Sequence, residues 1–212
     1  MHWIAYLLLA YLIGSIVGSL VLGLLRGVDI RGMGSGNAGG TNALRTQGKW
    51  FALGVMLIDV GKAWLAVRWL PQLPLPDVAA MTRGEWLPAA CGFAAIAGHV
   101  WPVYFGFRGG KGVAPLVGAL AALSIGLLWK FLLVWLIVVT LTGFVSLGSM
   151  VASASLVPLA VLASGPANSS LPGFAIAAAL LILWCHRTNL RRMRTRREPR
   201  AQKLWLFGRR SQ

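Results

Sequence analysis

Long apolar runs, nearly free of charged residues, constrain this chain more than any other feature of its sequence. Runs of about 18 or more apolar residues with few charges are typical of membrane-spanning helices. Only 12% of the residues are charged, whereas 57% are hydrophobic, and a soluble domain of this size carries about twice that share of charge. A spanning backbone is either helical or a closed barrel, and the runs lack the alternation of barrel strands. We therefore predict an all-α polytopic membrane protein.

The apolar runs predict seven transmembrane helices separated by short polar segments. The predicted spans are 3–25, 50–70, 87–107, 113–129, 131–146, 149–164 and 172–186. We expect one membrane domain, 1–186, followed by a basic tail, 187–212, and no attached soluble domain.

Basic residues are distributed unevenly between the two sides of the predicted bundle. Of the 20 Lys and Arg residues, 16 lie at the first and third loops and in the tail, three lie at the other loops or span ends, and Lys62 lies inside a span. Because positive charge stays on the cytoplasmic side, the N-terminus is expected outside and the C-terminus in the cytoplasm. The net charge of +15 then indicates a tail lying on anionic headgroups. Nucleic acid is not an expected partner, RNA binding by the tail being the weaker alternative.

This orientation places the polar motifs of the chain on one face. The first, third and fifth loops and the start of the tail contain "GSGNAGGTNALR", "GHVWPVYFGFRGGKG", "TGFVSLGS" and "CHRTN". All four segments are predicted to be cytoplasmic, whereas the outer loops look like plain connectors. Because the topology rests on charge alone, this clustering is an independent indication of a site at the cytoplasmic face.

The first of these motifs is typical of an anion-binding loop. Its glycines allow the backbone to approach a ligand closely, and successive free N–H groups in such loops hold anions. The neutral donors interleaved with the glycines are Ser35, Asn37, Thr41 and Asn42, and the nearest basic residue is Arg45. The alternative, that the glycines serve only turns and helix contacts, does not explain these polar residues.

The third loop has a similar composition. Gly109, Gly110 and Gly112 surround Lys111, but a P-loop would have Ser or Thr after the lysine to hold magnesium. We expect a phosphate here without a nucleotide and its magnesium. His99 precedes the loop, and ionisable groups inside membranes are functional by default, although a satisfied core histidine is the alternative.

The remaining polar residues indicate a structural role and not the binding of a metal or cofactor. Asp59 and Lys62 are three residues apart on one helix face and can pair; we favour structural support over a lysine that faces the site. Cys91 and Cys185 are predicted near opposite membrane faces, which excludes a disulfide. The scattered Cys and His residues form no metal-ligand cluster, so neither a metal nor a cofactor is expected.

The motifs "GSGNAGGTN", "GHVWPVYFGFRGGKGVA", "SLGS" and "HRTN" together resemble the bacterial acyl-phosphate-dependent glycerol-3-phosphate acyltransferases, the PlsY family. The resemblance extends over about the whole chain, in order and with similar spacing. It implies a seven-helix enzyme of the bacterial inner membrane that transfers a fatty acyl group from acyl phosphate to the 1-position of glycerol 3-phosphate. The implied products are lysophosphatidic acid and phosphate, within phospholipid biosynthesis. The implied partners are the two substrates and membrane lipids, with a monomer as the expected state.

The resemblance also assigns the residues of the site. Those expected to be catalytic are Ser35, Asn37 and His99. Those expected to bind substrate are Gly36, Gly40, Thr41, Asn42, Arg45, Gly109, Gly110, Lys111, Ser146, His186 and Asn189.

The implied chemistry agrees with the polar motifs. Acyl phosphate is an activated mixed anhydride, so the enzyme needs to bind two anions, position a hydroxyl and stabilise the oxyanion and the departing phosphate. The proton of the hydroxyl could go to His99 or to the phosphate of the substrate, and the sequence leaves both open. Departures from the family pattern are Gly40, Pro115 and Leu190, where alanine, threonine and isoleucine are common, and none of them removes a polar ligand.

Two other functions compete with this interpretation. A transporter of phosphorylated metabolites or organic anions also needs cationic, glycine-rich sites, but it binds near the midplane with access from both faces. The motifs of this chain are predicted at one face. A non-catalytic lipid-binding scaffold is the third possibility, and it would tolerate alanine in the glycine loops.

Overall fold

The computed structural model describes residues 3–73, 86–164 and 169–208. These residues form ten α-helices and no β-strand. The helices are α1 (Ile4–Gly14), α2 (Gly18–Arg26), α3 (Gly40–Gln47), α4 (Lys49–Arg68), α5 (Trp86–Val100), α6 (Val113–Leu123), α7 (Ile125–Thr142), α8 (Val145–Ala163), α9 (Ser170–Cys185) and α10 (Arg187–Arg194). Short 3₁₀ turns occur at Ile30–Gly32, Leu70–Gln72 and Val103–Phe105.

The helices have the length and composition of a membrane protein, which confirms the predicted all-α membrane class; the seven spans stay a prediction. Within the described ranges, four segments are long and apolar enough to cross a membrane, and they contain α4, α5, α7 and α8. Two bent pairs raise this number to six if each pair is one span: α1 with α2, bent by 44°, and α9 with α10, bent by 49°. Helix α6 is apolar but shorter.

The boundary predicted between the fourth and fifth spans is wrong. We expected helices over 113–129 and 131–146, whereas α6 ends at Leu123 and α7 begins at Ile125. Ser124 separates them, with extended backbone and a side chain that accepts a hydrogen bond from the N–H of Leu127. This serine is an N-cap, and because apolar residues flank it on both sides, hydrophobicity alone does not reveal the break. Lys130 consequently lies inside α7 and not at its end.

The segment predicted as the fifth cytoplasmic loop is mostly helical. Gly143 ends α7 with a φ of 77°, and α8 already begins at Val145. The "SLGS" motif therefore forms the first turn of α8, and Ser146 is buried there.

The chain divides into two compact units, Met1–Leu123 and Ser124–Gln212. In the first unit, glycines allow helices to approach to backbone distance. A Cβ atom on Gly98 of α5 would overlap the carbonyl oxygen of Tyr11 in α1, and one on Gly118 of α6 would overlap that of Val60 in α4. Small residues at such contacts are typical of helix packing in membranes, where close van der Waals contact replaces the hydrophobic effect.

In the second unit, the basic tail folds back onto the turn between α7 and α8. The N–H of Ala201 donates to the carbonyl oxygen of Gly143, and the N–H of Leu206 donates to that of Thr140, both at 2.8 Å. The guanidinium of Arg200 lies over the rings of Phe144 and Trp205, 4.7 and 4.0 Å from their centroids. The tail thus packs against its own unit through Arg200, Ala201, Trp205 and Leu206.

The close approach of α4 and α6 generates a stability prediction. We expect Gly118→Ala to lower the free energy of unfolding by about 1–3 kcal/mol, since the added methyl group overlaps backbone that cannot move aside. Gly61→Ala is the matched control: Gly61 lies beside Val60 in α4, and its Cβ would meet open space. The control should be neutral or stabilising by up to about 1 kcal/mol. Thermal unfolding in detergent measures both variants, and equal melting temperatures would contradict the packing described.

Candidate active site

The first glycine-rich loop is a tight turn that the side chain of Asn42 stabilises through hydrogen bonds. Gly34 and Gly36 adopt φ values of 56° and 73°, which favour glycine. The N–H of Ser35 donates to Asn42 Oδ1 at 2.9 Å, and Asn42 Nδ2 donates to the carbonyl oxygens of Ile30 and Met33, both at 3.0 Å. With both of its side-chain N–H groups used by the loop, Asn42 shapes the turn; its contact with substrate stays a prediction.

The other polar residues of this loop are accessible. Ser35 and Asn37 are half-buried, whereas Gly36, Thr41 and Arg45 are exposed. Gly40 and Thr41 form the first turn of α3, and Arg45 lies in its last turn. The loop is attached to α2 through Ser19, whose hydroxyl donates to the carbonyl oxygen of Ala38 at 2.8 Å. Its accessible donors therefore belong to a fixed backbone.

Arg31 joins the first and third loops, a role that the sequence analysis missed. Its guanidinium donates to both carboxylate oxygens of Asp29 and, through Nη1, to the carbonyl oxygens of Phe105 and Arg108 at 3.0 Å each. The side-chain hydrogen bond from Arg31 holds the pKa of the Asp29 carboxyl below its ordinary value, so the carboxylate stays charged at neutral pH. The two glycine-rich loops, 33–40 and 106–112, therefore form one surface.

The third loop doubles back over the carboxyl end of α5. The N–H groups of Gly109 and Gly110 donate to the carbonyl oxygens of Val100 and His99, both at 3.1 Å. A Cβ on Gly109 would overlap the His99 carbonyl oxygen, and one on Gly110 would overlap the His99 ring at Nε2. These N–H groups thus cap α5, and the glycines are needed for close approach; the substrate contact expected of Gly109 and Gly110 stays a prediction. Lys111 follows, half-buried.

A buried cluster of three ionisable side chains lies beside this loop. Lys62 Nζ is 2.8 Å from Asp59 Oδ1 and 2.9 Å from His99 Nδ1, which confirms the predicted pairing of Asp59 with Lys62. Lys62 is 5% exposed, Asp59 is 0% exposed and His99 is 2% exposed. The pair also binds backbone: Lys62 donates to the carbonyl oxygen of Ile16 at 2.8 Å, and the N–H of Gly18 donates to Asp59 at 3.0 Å. The cluster thereby connects α4, α5 and the break between α1 and α2.

In the second unit, the predicted site residues surround a carboxylate that the sequence analysis did not single out. Ser146 Oγ and Asn189 Nδ2 both donate to Glu198 Oε1, at 2.7 and 2.6 Å, and Arg192 Nε donates to Oε2 at 3.0 Å. The Glu198 side chain is only 6% exposed. The one signal in the sequence is that Glu198 is the single acid among seven arginines between 187 and 200.

His186 is buried at the junction of α9 and α10. Its Nδ1 lies 2.8 Å from the carbonyl oxygen of Ile182. A carbonyl only accepts, so His186 carries a proton on Nδ1.

The predicted site residues thus divide between the two compact units. The first unit contains Ser35, Gly36, Asn37, Gly40, Thr41, Asn42, Arg45, His99, Gly109, Gly110 and Lys111. The second unit holds Ser146, His186 and Asn189, with Glu198 bonded to Ser146 and Asn189.

Glu198 gives a prediction about the second unit. Glu198→Ala leaves two buried donors and a guanidinium without their acceptor, so we expect unfolding to become easier by roughly 1–3 kcal/mol. Glu198→Gln keeps an acceptor oxygen and should lose less. Melting temperatures in detergent test this order, and an unchanged value for Glu198→Ala would show that the carboxylate does not hold the tail.

Comparisons with known proteins agree along nearly the whole chain. The sequence model of the family described as glycerol-3-phosphate acyltransferase matches residues 4–196. A glycerol-3-phosphate acyltransferase of Synechococcus sp. (strain CC9902) is 40% identical over 199 residues, covering 92% of each chain. One from Aquifex aeolicus (strain VF5) is 37% identical over 191 residues, covering 90% of this chain and 95% of the relative.

Solved structures show the same relationship. The crystal structure of PlsY (YgiH), an integral membrane glycerol 3-phosphate acyltransferase, in its glycerol 3-phosphate form has a TM-score of 0.80 and 35% identity, over 94% of this chain and 96% of that chain. Its lysophosphatidic acid form has a TM-score of 0.81 and 33% identity, over 96% of this chain and 98% of that chain. The chain therefore belongs to the glycerol-3-phosphate acyltransferase family.

Proposed function

We propose that this protein is a membrane enzyme that transfers a fatty acyl group from acyl phosphate to the 1-hydroxyl of glycerol 3-phosphate. The products are 1-acylglycerol 3-phosphate, a lysophosphatidic acid, and inorganic phosphate. The observation that carries the proposal is the bridge made by Arg31, which joins two glycine-rich, cationic loops into one surface in a member of this acyltransferase family. The related PlsY structures in glycerol 3-phosphate and lysophosphatidic acid forms support the acceptor and the product; the acyl phosphate donor is what the resemblance to the PlsY family implies.

The reaction replaces the anhydride bond of acyl phosphate with a carboxylic ester bond, without oxidation or reduction. The hydroxyl oxygen of glycerol 3-phosphate attacks the carbonyl carbon of acyl phosphate, and a new carbon–oxygen bond forms. The bond between that carbon and the bridging phosphate oxygen breaks, and its electron pair leaves with the phosphate. The hydroxyl proton ends on the released phosphate. Negative charge develops on the carbonyl oxygen and on the leaving phosphate, so fixed donors at these positions lower the barrier.

The polar residues of the first unit suit this task. We assign Ser35, Asn37 and His99 to the reacting groups, and the positively charged Arg45 and Lys111 to the anionic groups of the two substrates. Gly36, Gly40 and Thr41 complete the anion-binding surface at the start of α3. Asn42, Gly109 and Gly110 hold the loops in shape and are assigned to substrate binding as well.

The polar residues of the second unit are assigned to the substrates as well. Because Ser146 donates its proton to Glu198, its oxygen is left as an acceptor, which suits a glycerol hydroxyl better than a phosphate. His186 and Asn189 are assigned as further substrate-binding residues.

We infer a seven-span topology with the N-terminus outside and the C-terminus in the cytoplasm of a bacterial inner membrane. The seven crossings are α1 with α2, then α4, α5, α6, α7, α8 and α9. The asymmetry of 16 basic residues against three supports this orientation, and it places both glycine-rich loops and the tail on the cytoplasmic face. A monomer is the expected state. The transporter alternative gains no support from the relatives, which are acyltransferases.

A phosphate-release assay tests the proposed function. Purified protein in detergent should release phosphate from acyl phosphate when glycerol 3-phosphate is present, and mass spectrometry should show lysophosphatidic acid in equal amount. Protein alone with acyl phosphate should release no more than buffer does. Phosphate release without glycerol 3-phosphate, or no lysophosphatidic acid, would contradict the proposal.

The bridge between the loops generates a further prediction. Arg31→Gln removes hydrogen bonds from a charged donor to two carbonyl oxygens, and such bonds are worth roughly 1.5–3 kcal/mol each. We expect kcat/KM to fall about 10- to 100-fold, because the two loops lose the bonds that fix their relative position. Arg26→Gln is the control: Arg26 lies at the end of α2 over the ring of Phe51, so the same charge is lost without affecting the bridge. Equal activities of the two variants would count against a joined surface.

A further inference from the structure

We propose that Lys62 fixes His99 as a neutral imidazole with its proton on Nε2, so that His99 donates a hydrogen bond to negative charge in the acyl-transfer site. His99 is then a donor and not the general base, and Lys62 and Asp59 are positioning residues that act through it. This inference rests on the proposed function, because the site must be the acyl-transfer site for the donor to have this use.

The contacts of Lys62 determine where the proton of His99 lies. An ammonium group has three N–H donors and no acceptor. Three acceptors surround Lys62 Nζ: the carbonyl oxygen of Ile16, Asp59 Oδ1 and His99 Nδ1, at 2.8, 2.8 and 2.9 Å. Because the ammonium can only donate, His99 Nδ1 must accept, and a neutral imidazole then carries its proton on Nε2.

The other tautomer fits the same geometry poorly. His99 Nδ1 also lies 3.3 Å from Asp59 Oδ1, and a proton on Nδ1 could point toward that oxygen. It would then lie beside the ammonium of Lys62, whose nitrogen is 0.4 Å closer to Nδ1 than the carboxylate oxygen is. Two donors would face each other at hydrogen-bond distance, so the shorter contact favours Nδ1 as the acceptor.

The charge of the cluster leads to the same assignment. One carboxylate, one ammonium and a neutral imidazole sum to zero, whereas an imidazolium would leave a net positive charge in a cluster that is at most 5% exposed. Unpaired charge is costly away from water. The side chains that face His99 in these contacts are Asp59 and Lys62 of α4, and they already neutralise one another.

The protonated nitrogen lies at the third loop. A methyl group on Gly110 would overlap His99 Nε2, so this edge of the ring lies directly against the backbone that precedes Lys111. An N–H at this position is a fixed donor against the backbone of the loop that carries Lys111, which suits an oxyanion or a phosphate oxygen. It cannot take the proton of the attacking hydroxyl, because Nε2 is already protonated and Nδ1 is engaged by Lys62.

Nuclear magnetic resonance tests the tautomer directly. The chain has three histidines, His2, His99 and His186, so ¹⁵N-histidine labelling gives few signals, and the signals lost in His99→Gln are those of His99. We expect a protonated Nε2 and an unprotonated Nδ1. Lys62→Met alone leaves Asp59 buried and unpaired, which endangers folding, so the companion variant is Asp59→Asn with Lys62→Met, which removes both charges. In that double variant the preference for the Nε2 proton should be lost.

Two substitutions at His99 separate a donor from a base. A glutamine amide reaches the position of Nε2 and can donate there, whereas an asparagine amide reaches only that of Nδ1; neither can act as a base. Loss of one such donor costs on the order of 10²- to 10³-fold in rate. We expect this loss in kcat for His99→Asn and a loss of only about tenfold for His99→Gln.

The outcomes are distinguishable. An Nδ1–H or doubly protonated ring, or an unchanged tautomer in the double variant, would overturn the inference, and so would equal inactivity of the two His99 variants. If the parent protein gives no phosphate release that depends on glycerol 3-phosphate, the proposed function fails instead. The labelled spectra would still decide whether Lys62 fixes the tautomer.

Discussion

The rest of the first unit depends on how one interrupted helix satisfies its backbone in an apolar surrounding. Helices α1 and α2 together form a segment apolar enough to cross a membrane, yet they meet at a bend of 44°. A break leaves carbonyl and N–H groups without helical partners, and lipid offers none. Here the partners are the ion pair of α4, since Lys62 binds the carbonyl of Ile16 and Asp59 binds the N–H of Gly18. The buried pair is thus stabilised by its hydrogen bonds, without which two desolvated charges gain little.

The same pair connects the break to the proposed reaction site. Lys62 contacts His99 near the end of α5, and the third loop caps that helix end through Gly109 and Gly110. Arg31 then ties the third loop to the first. All three N–H donors of Lys62 are used in these contacts. A shift of the backbone at the break between α1 and α2 would therefore move Lys62, then His99, and through them the third loop. This chain of contacts gives Asp59 and Lys62 a purpose beyond neutralising each other.

How far the sequence predicted this molecule depends on how local each interaction is. The pairing of Asp59 with Lys62 was predictable because it lies within one helix, and the apolar runs identified the membrane fold without any knowledge of packing. The break at Ser124 was missed because a capping serine between two apolar helices leaves no trace in hydrophobicity. Glu198 was missed because its contact with Ser146 spans 52 residues of sequence, and only the folded tail brings the two together.

Glycine shows most clearly why composition does not determine mechanism. The two glycine-rich loops look alike in sequence, and both suggested a phosphate held by free N–H groups. In the first loop, Gly34 and Gly36 are required by their positive φ values, and the turn leaves Gly36 exposed. In the third loop, the N–H groups of Gly109 and Gly110 donate to carbonyl oxygens at the end of α5. Glycine is required at both positions because a larger residue would overlap His99. An added methyl group would therefore act through backbone strain at Gly36, through strain and overlap with the Asn42 side chain at Gly34, and through displacement of the histidine at Gly110.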